Sequence, residues 1–146
     1  MGADAAGKKR EPTVIMGVIG ADCHAVGNRI LERFFRESGF HVVNLGVTVT
    51  QDEYIDAAIE VGAEAILVSS LSGRGEIDCQ GFRDRCVERG IPDIVLYVGG
   101  NPVVGETDPA VVGKKFLEMG FDRVFTSDSD LREEAQLLRK DIEARR

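Results

Sequence analysis

The sequence predicts an α/β protein, a doubly wound five-stranded parallel sheet with helices on both faces, and three observations carry that expectation. Short runs rich in Val and Ile alternate with longer segments whose apolar residues recur at helical spacing. Glycines close the helical segments at Gly39, Gly62, Gly90 and Gly120. The 146 residues suffice for one domain. A chain of this size buries roughly 68–70% of its unfolded surface, so its core needs no disulfide or metal staple.

A polar leader, residues 1–12, is expected to be flexible and precedes the domain proper, residues 13–146. Thr13–Gly20 is a continuous apolar run of the kind that a strand buried on both faces requires. Gly27–Gly39 reads as a helix, with Ile30, Leu31, Phe34 and Phe35 on one face and Gly39 as its stop. Phe40–Gly46 is the second strand. Gln51–Gly62 is the second helix, because Tyr54, Ile55, Ala58 and Ile59 share an amphipathic face. Strand Ala65–Leu71, helix Asp78–Gly90, strand Asp93–Gly99, helix Pro109–Gly120 and strand Phe121–Thr126 complete the alternation. A last helix spans about Leu131–Ala144, with Leu131, Ala135, Leu138 and Ile142 as a stripe that packs on the domain, a partner-binding helix being the alternative, and Asp130 with Glu133 as a capping pair. Right-handed crossovers must cover the sheet, and five strands commonly take the flavodoxin-like, Rossmann-related order 2-1-3-4-5.

The formal charge of −7 resides in residues 13–127, which hold ten bases and seventeen acids. An acidic body repels phosphate backbones, so nucleic acid is not an expected partner. No apolar run approaches the ~20 residues of a membrane span and no secretory signal is evident, so a soluble cytoplasmic protein is expected. Cys23, Cys79 and Cys86 lack CxxC spacing, against both a disulfide framework and a zinc site, and Cys86 shares a core stripe with Phe82.

In an open parallel sheet, ligands bind beyond the carboxyl ends of the strands. The loops there read GADCHAVGN (20–28), SSLSGRGEID (69–78) and GGNPVVGETD (99–108). All three exceed the usual 2–6 residues. Gly17, Gly20 and Gly27 have the wrong gaps for GxGxxG, and no Gly-Lys-[Ser/Thr] exists for a P-loop. A receiver domain would need an acidic cluster and a Lys after the fifth strand, where Thr126-Ser127 stand instead. Cys23 and His24 are adjacent and point apart on an extended segment, which disfavours a Cys-His nucleophile. Asp22-x-His24 remains, and two readings stand. A carboxylate can orient a metal-ligating imidazole through its far nitrogen, or the pair is a hydrogen-bonded loop histidine with no ligand role.

The combination Asp22-x-His24-x-x-Gly27, Ser69-x-Leu71 and Gly99-Gly100, at the ends of strands one, three and four, resembles the signature of cobalamin-binding domains. Over roughly residues 13–126, the segments MGVIGADCHAVGNRIL, HVVNLGV, AAIEVGAEAILVSSL, GEIDCQG and LYVGGNPVVG are similar to the small (sigma) subunits of glutamate (methylaspartate) mutases. That resemblance implies His24 as the lower axial ligand of cobalt, displacing the cofactor's dimethylbenzimidazole, and Asp22 bonded to the far side of the imidazole. Ser69 would meet the displaced base, with Leu71 lining its pocket, and Gly99 and Gly100 would leave room for the nucleotide tail. The tail's path would continue along Asn101, Pro102, Val103, Val104 and Gly105. Ala21, Cys23, Ala25 and Ser70 would complete the cofactor's surroundings, and Gly27 would let the first helix begin against the ligand.

The resemblance further implies adenosylcobalamin as cofactor and a heterotetramer of two small and two large (epsilon) barrel subunits. The reaction would be the reversible radical rearrangement of L-glutamate to L-threo-3-methylaspartate. Neither Arg74 nor another cation here suits the substrate carboxylates, so that clamp is expected on the large subunit. Two other classes stay open: a corrinoid carrier in methyl transfer and a non-catalytic cobalamin sensor. The first typically carries a helical cap before the domain, where twelve residues stand here, and the second a fused effector segment.

Overall fold

The fold was analysed in a computed structural model that describes residues 11–20, 25–70, 75–100, 108–126 and 129–146. The elements are β1 (Thr13–Val18), α1 (Ala25–Glu37), β2 (His41–Asn44), α2 (Gln51–Val61), β3 (Ala65–Ser70), α3 (Gly75–Asp78), α4 (Phe82–Glu88), β4 (Val95–Gly100), α5 (Pro109–Glu118), β5 (Arg123–Thr126) and α6 (Leu131–Ala144). The five strands form one parallel sheet in the order β2-β1-β3-β4-β5, the predicted topology. No helix among the described residues is long and apolar enough to cross a membrane.

The inner strands feed two cores by alternation. Ile15 and Ile19, Ile66 and Val68, and Leu96 and Val98 face α2, α4 and α5, where they meet Tyr54, Ile55, Phe82 and Phe116. Val14 and Met16, Ala65 and Leu67, and Val95 and Tyr97 face α1 and α6, where they meet Phe35, Leu138 and Ile142. Cys79 and Cys86 are fully buried in the first core, and burial pushes their thiols up to about 12 and about 11. They are packing residues rather than nucleophiles at neutral pH.

Three expectations are corrected. The predicted helix Asp78–Gly90 begins later, as α4 at Phe82, and a separate short helix, α3, ends at Asp78; between them the chain turns at Gly81 with φ +75°, a conformation that favours glycine. Ile30, expected on the buried face of α1, is 60% exposed and lies at the rim of a cavity between α1 and the sheet. Asp130 caps α6 through the Arg132 N–H (2.9 Å) without the reciprocal bond from Glu133. The full capping box lies at α2, where Thr50 and Glu53 exchange side-chain bonds with each other's backbone N–H.

The last helix is fastened to the sheet by a polar network. The Tyr97 hydroxyl donates to Asp141 Oδ2 (2.5 Å), and Arg123 Nε donates to the same oxygen (2.7 Å). From the middle of the helix Arg139 donates to the Ser38 carbonyl and covers the Phe40 ring at 4.8 Å, while just past its C-terminal end Arg145 and Arg146 pair with Asp122 and Glu64. Arg123 holds the Asp141 carboxyl below the usual carboxylate range. That contribution to stability is complete above the unfolded carboxylate pKa of ~3.9 and is lost as pH falls through the lower folded value. Asp141→Ala should cost about 1–3 kcal/mol at pH 7 by leaving the buried Tyr97 hydroxyl without its acceptor. Urea unfolding at pH 7 and pH 3 checks this, with a smaller difference between wild type and variant expected at the acid pH.

Candidate functional site

Parallel register brings three strand ends into one line. Val18 pairs with Ser69, Ser69 with Gly99, and Gly99 with Phe125, so the loops after β1, β3 and β4 all leave the sheet at the same edge. On the α1 and α6 side of this edge lies a cavity of about 380 Å³. Its sheet wall is Leu67, Tyr97 and Phe125, its α1 wall Leu31 and Phe35, and its α6 wall Leu131 and Glu134. The volume falls within the ~300–1,000 Å³ range of small-molecule sites, and an apolar lining with a few polar groups is what such sites show.

Those polar groups are few. Asn28 is 3% exposed, and its Nδ2 donates to Asn44 Oδ1 (2.7 Å). Asn44 in turn donates to Glu32 Oε1 (2.8 Å) and Arg36 Nε donates to Glu32 Oε2 (2.9 Å), so this chain of bonds ties α1 to β2. The bonds from Asn44 and Arg36 hold the Glu32 carboxyl below its ordinary value. Asn28 Oδ1, by contrast, is buried with no donor among the described residues. Ser69 is nearly buried at the end of β3 and lines the cavity. Glu134 faces the same space, and burial alone raises its carboxyl to about 7.

Of the residues expected to meet a cofactor, Gly27, Ser69, Gly99 and Gly100 line this single cavity although they come from three separate segments. Gly27 has open space where a Cβ would stand, although it sits inside α1 rather than at its start, which is Ala25. Gly100 has φ +99°, which a side chain adopts only under strain. A Cβ on Gly99 would come 3.3 Å from the Phe125 carbonyl oxygen. Ser70 is described but buried on the opposite face of the sheet, its hydroxyl without a partner. Ala21, Asp22, Cys23, His24, Leu71, Asn101, Pro102, Val103, Val104 and Gly105 lie outside the described residues, as does the side chain of Ala25.

Asn28 and Glu134 were not anticipated from the sequence. A signal existed in each case: both interrupt an apolar stripe, Asn28 with Leu31 and Phe35 at i+3 and i+7, and Glu134 between Leu131 and Leu138. On the other face of the sheet edge, the Asp78 carboxylate lies against Gly20, so closely that a Cβ there would collide with it. The segment GEIDCQG is thereby brought to the mouth of the first loop.

Comparison with known proteins yields three findings. A family model described as the B12 binding domain matches residues 12–135. The glutamate mutase sigma subunit of Escherichia coli O157:H7 is 61% identical over 136 residues, 93% of this chain and 91% of that protein. Among solved structures, a cobalamin-binding protein from Desulfitobacterium hafniense DCB-2 superposes with a TM-score of 0.72 at 18% identity, over 93% of this chain and 61% of that one. The receiver domain of a Francisella response regulator superposes with a TM-score of 0.68 at 12% identity, over 93% of this chain and the whole of that one. The chain thus spans about three fifths of the length of the first of these structures. Both structural likenesses concern the fold.

Gly100→Ala should cost about 1–2 kcal/mol, the penalty of placing a side chain at positive φ. A lower urea midpoint at unchanged m-value is the expected result.

Proposed function

The chain belongs to the B12-binding domain family as a cobalamin-binding subunit of glutamate mutase, and from that premise we propose that it carries adenosylcobalamin for a larger catalytic subunit. The observation that supports this most is the convergence of Gly27, Ser69, Gly99 and Gly100 on one cavity at the carboxyl edge of the sheet. An apolar cavity with an unpartnered buried acceptor, Asn28 Oδ1, fits the flat aromatic base and polar linkages of a nucleotide tail. The glycines offer backbone where such a tail must pass close to the strand ends.

In this reading His24 would hold the cobalt through its imidazole, and Asp22 would accept the ring's far N–H, fixing its tautomer and raising its basicity. Ser69 meets the displaced base in the cavity, and Leu71 with the segment from Asn101 to Gly105 completes the tail's path. Ala21, Cys23 and Ala25 flank the ligand, whereas Ser70, expected beside them, is buried on the opposite face of β3 and takes no part in the cavity. The cofactor supplies radical chemistry through homolysis of its cobalt–carbon bond. What this chain would contribute is position: it would hold the corrinoid at the sheet edge, orient the ligating imidazole and bury the tail away from water. The glutamate and its carboxylate clamp reside on the partner, a barrel subunit, in an assembly of two small and two large subunits. The reaction is the reversible interconversion of L-glutamate and L-threo-3-methylaspartate. Free, buried thiols at Cys79 and Cys86 suit the reducing cytoplasm in which we place it.

The test is methylaspartate formation from glutamate with adenosylcobalamin, with and without the cognate large subunit. Activity that requires both chains is expected, and methyl transfer in its place would identify a corrinoid carrier. Substituting His24→Ala should abolish tight cobalamin binding, whereas Asp22→Asn should cost about 10–100-fold in affinity or activity. Electron paramagnetic resonance of the cob(II)alamin complex made with ¹⁵N-histidine should show a histidine nitrogen coupled to cobalt. A spectrum without that coupling would remove His24 from the axial position.

A further inference from the structure

Among the described lining residues of the cavity, one carboxyl group occurs, that of the half-buried Glu134, and it has no ion pair or side-chain hydrogen bond to offset its loss of water. No described residue bonds it or pairs with it. Burial alone raises it to about 7, against about 4.3 for an ordinary glutamate. The remaining polar groups of the cavity do not titrate near neutrality. From α1 comes Asn28, with its amide nitrogen committed to Asn44. From β3 comes Ser69, and from β4 Tyr97, whose hydroxyl is engaged by Asp141 and which burial holds well above its ordinary value. The cavity residues of β1 and β5 are Met16 and Phe125. On α6 itself, Asp130 caps the helix, while Arg132 and Glu133 are exposed. Glu134 is therefore the described lining group whose charge changes across neutral pH.

A half-buried carboxyl with no described partner, facing a largely apolar cavity, is poorly solvated in the empty fold. A ligand that brings its own hydrogen-bonding atoms into the cavity removes that penalty. We propose that Glu134 is the residue through which the cavity selects a tailed corrinoid: in its neutral form it donates a hydrogen bond to an acceptor on the nucleotide tail, and once ionised it opposes the tail's entry. This rests on the cobalamin reading and deepens it by naming the residue that makes loading sensitive to both tail and pH.

Equilibrium dialysis of the chain with adenosylcobalamin from pH 6.0 to 8.5 tests the assignment against Glu134→Gln, which keeps a donor and cannot titrate. Relative to Glu134→Gln, wild-type affinity should fall about 10–30-fold across that range, the linkage expected for a group titrating near neutrality. Any pH dependence of the axial imidazole is common to both proteins and cancels in the ratio. Parallel profiles, or loss of binding at pH 6.0 in a folded Glu134→Gln, would overturn the assignment while leaving the cobalamin reading intact. A wild-type chain that binds no cobalamin at any pH would overturn both. A measurement free of variants is the ¹³C titration of the Glu134 carboxyl in the wild type. Its midpoint should rise by about one pH unit or more with adenosylcobalamin bound, and not with cobinamide, which lacks the tail. An unmoved midpoint with cobalamin would sink the proposal.

Discussion

The two-sided burial of β1, β3 and β4 is the constraint on which the rest depends. Because Ile15, Ile66 and Leu96 serve one core and Val14, Ala65 and Val95 the other, neither face of the sheet centre has room for a ligand. Chemistry is forced to the edge where the strands end, and parallel register aligns those ends at Val18, Ser69 and Gly99. A receiver domain obeys the same constraint with a TM-score of 0.68 against this chain. The fold thus dictates where a site must lie, and the loop residues decide what it binds.

The α6 network gives the cavity its third wall. Asp141, held by Tyr97 and Arg123, lies seven residues beyond Glu134, two turns along the same face of the helix. Fastening Asp141 to the sheet therefore also sets the height of Glu134 above Tyr97 and Phe125. The interactions that stabilise the domain and those that shape the cavity are carried by one helix, so a substitution in the network is felt in both.

Much of this was legible in the sequence because it rests on local periodicity. Continuous Val and Ile runs marked the inner strands, and the Leu138 and Ile142 stripe marked a helix that packs. Register then follows from burial, since a slip by one residue would exchange the two cores. The start of the helix expected at Asp78–Gly90 was less legible: its amphipathic pattern rests on Phe82 and Cys86, and only the backbone at Gly81 shows that the helix begins after it. Asn28 and Glu134 were hidden for a different reason. A polar residue on a helix is ordinarily read as solvated, and whether it faces water or a cavity depends on the helix's distance from the sheet, which no local pattern encodes. The same limit explains Ile30, an apolar residue left exposed at the rim of the cavity.

The position of α6 in the chain has a consequence for biosynthesis. A chain emerging from the ribosome delivers β1, α1, β3 and β4 before α6. The wall bearing Glu134 follows β5, after every other wall of the cavity has been made. Until then the apolar faces of Leu31, Leu67 and Tyr97 stand open on one side, as surface that a nascent chain shares with its surroundings. Docking of α6 thus covers those apolar faces and, in the same step, gives the cavity its last described wall.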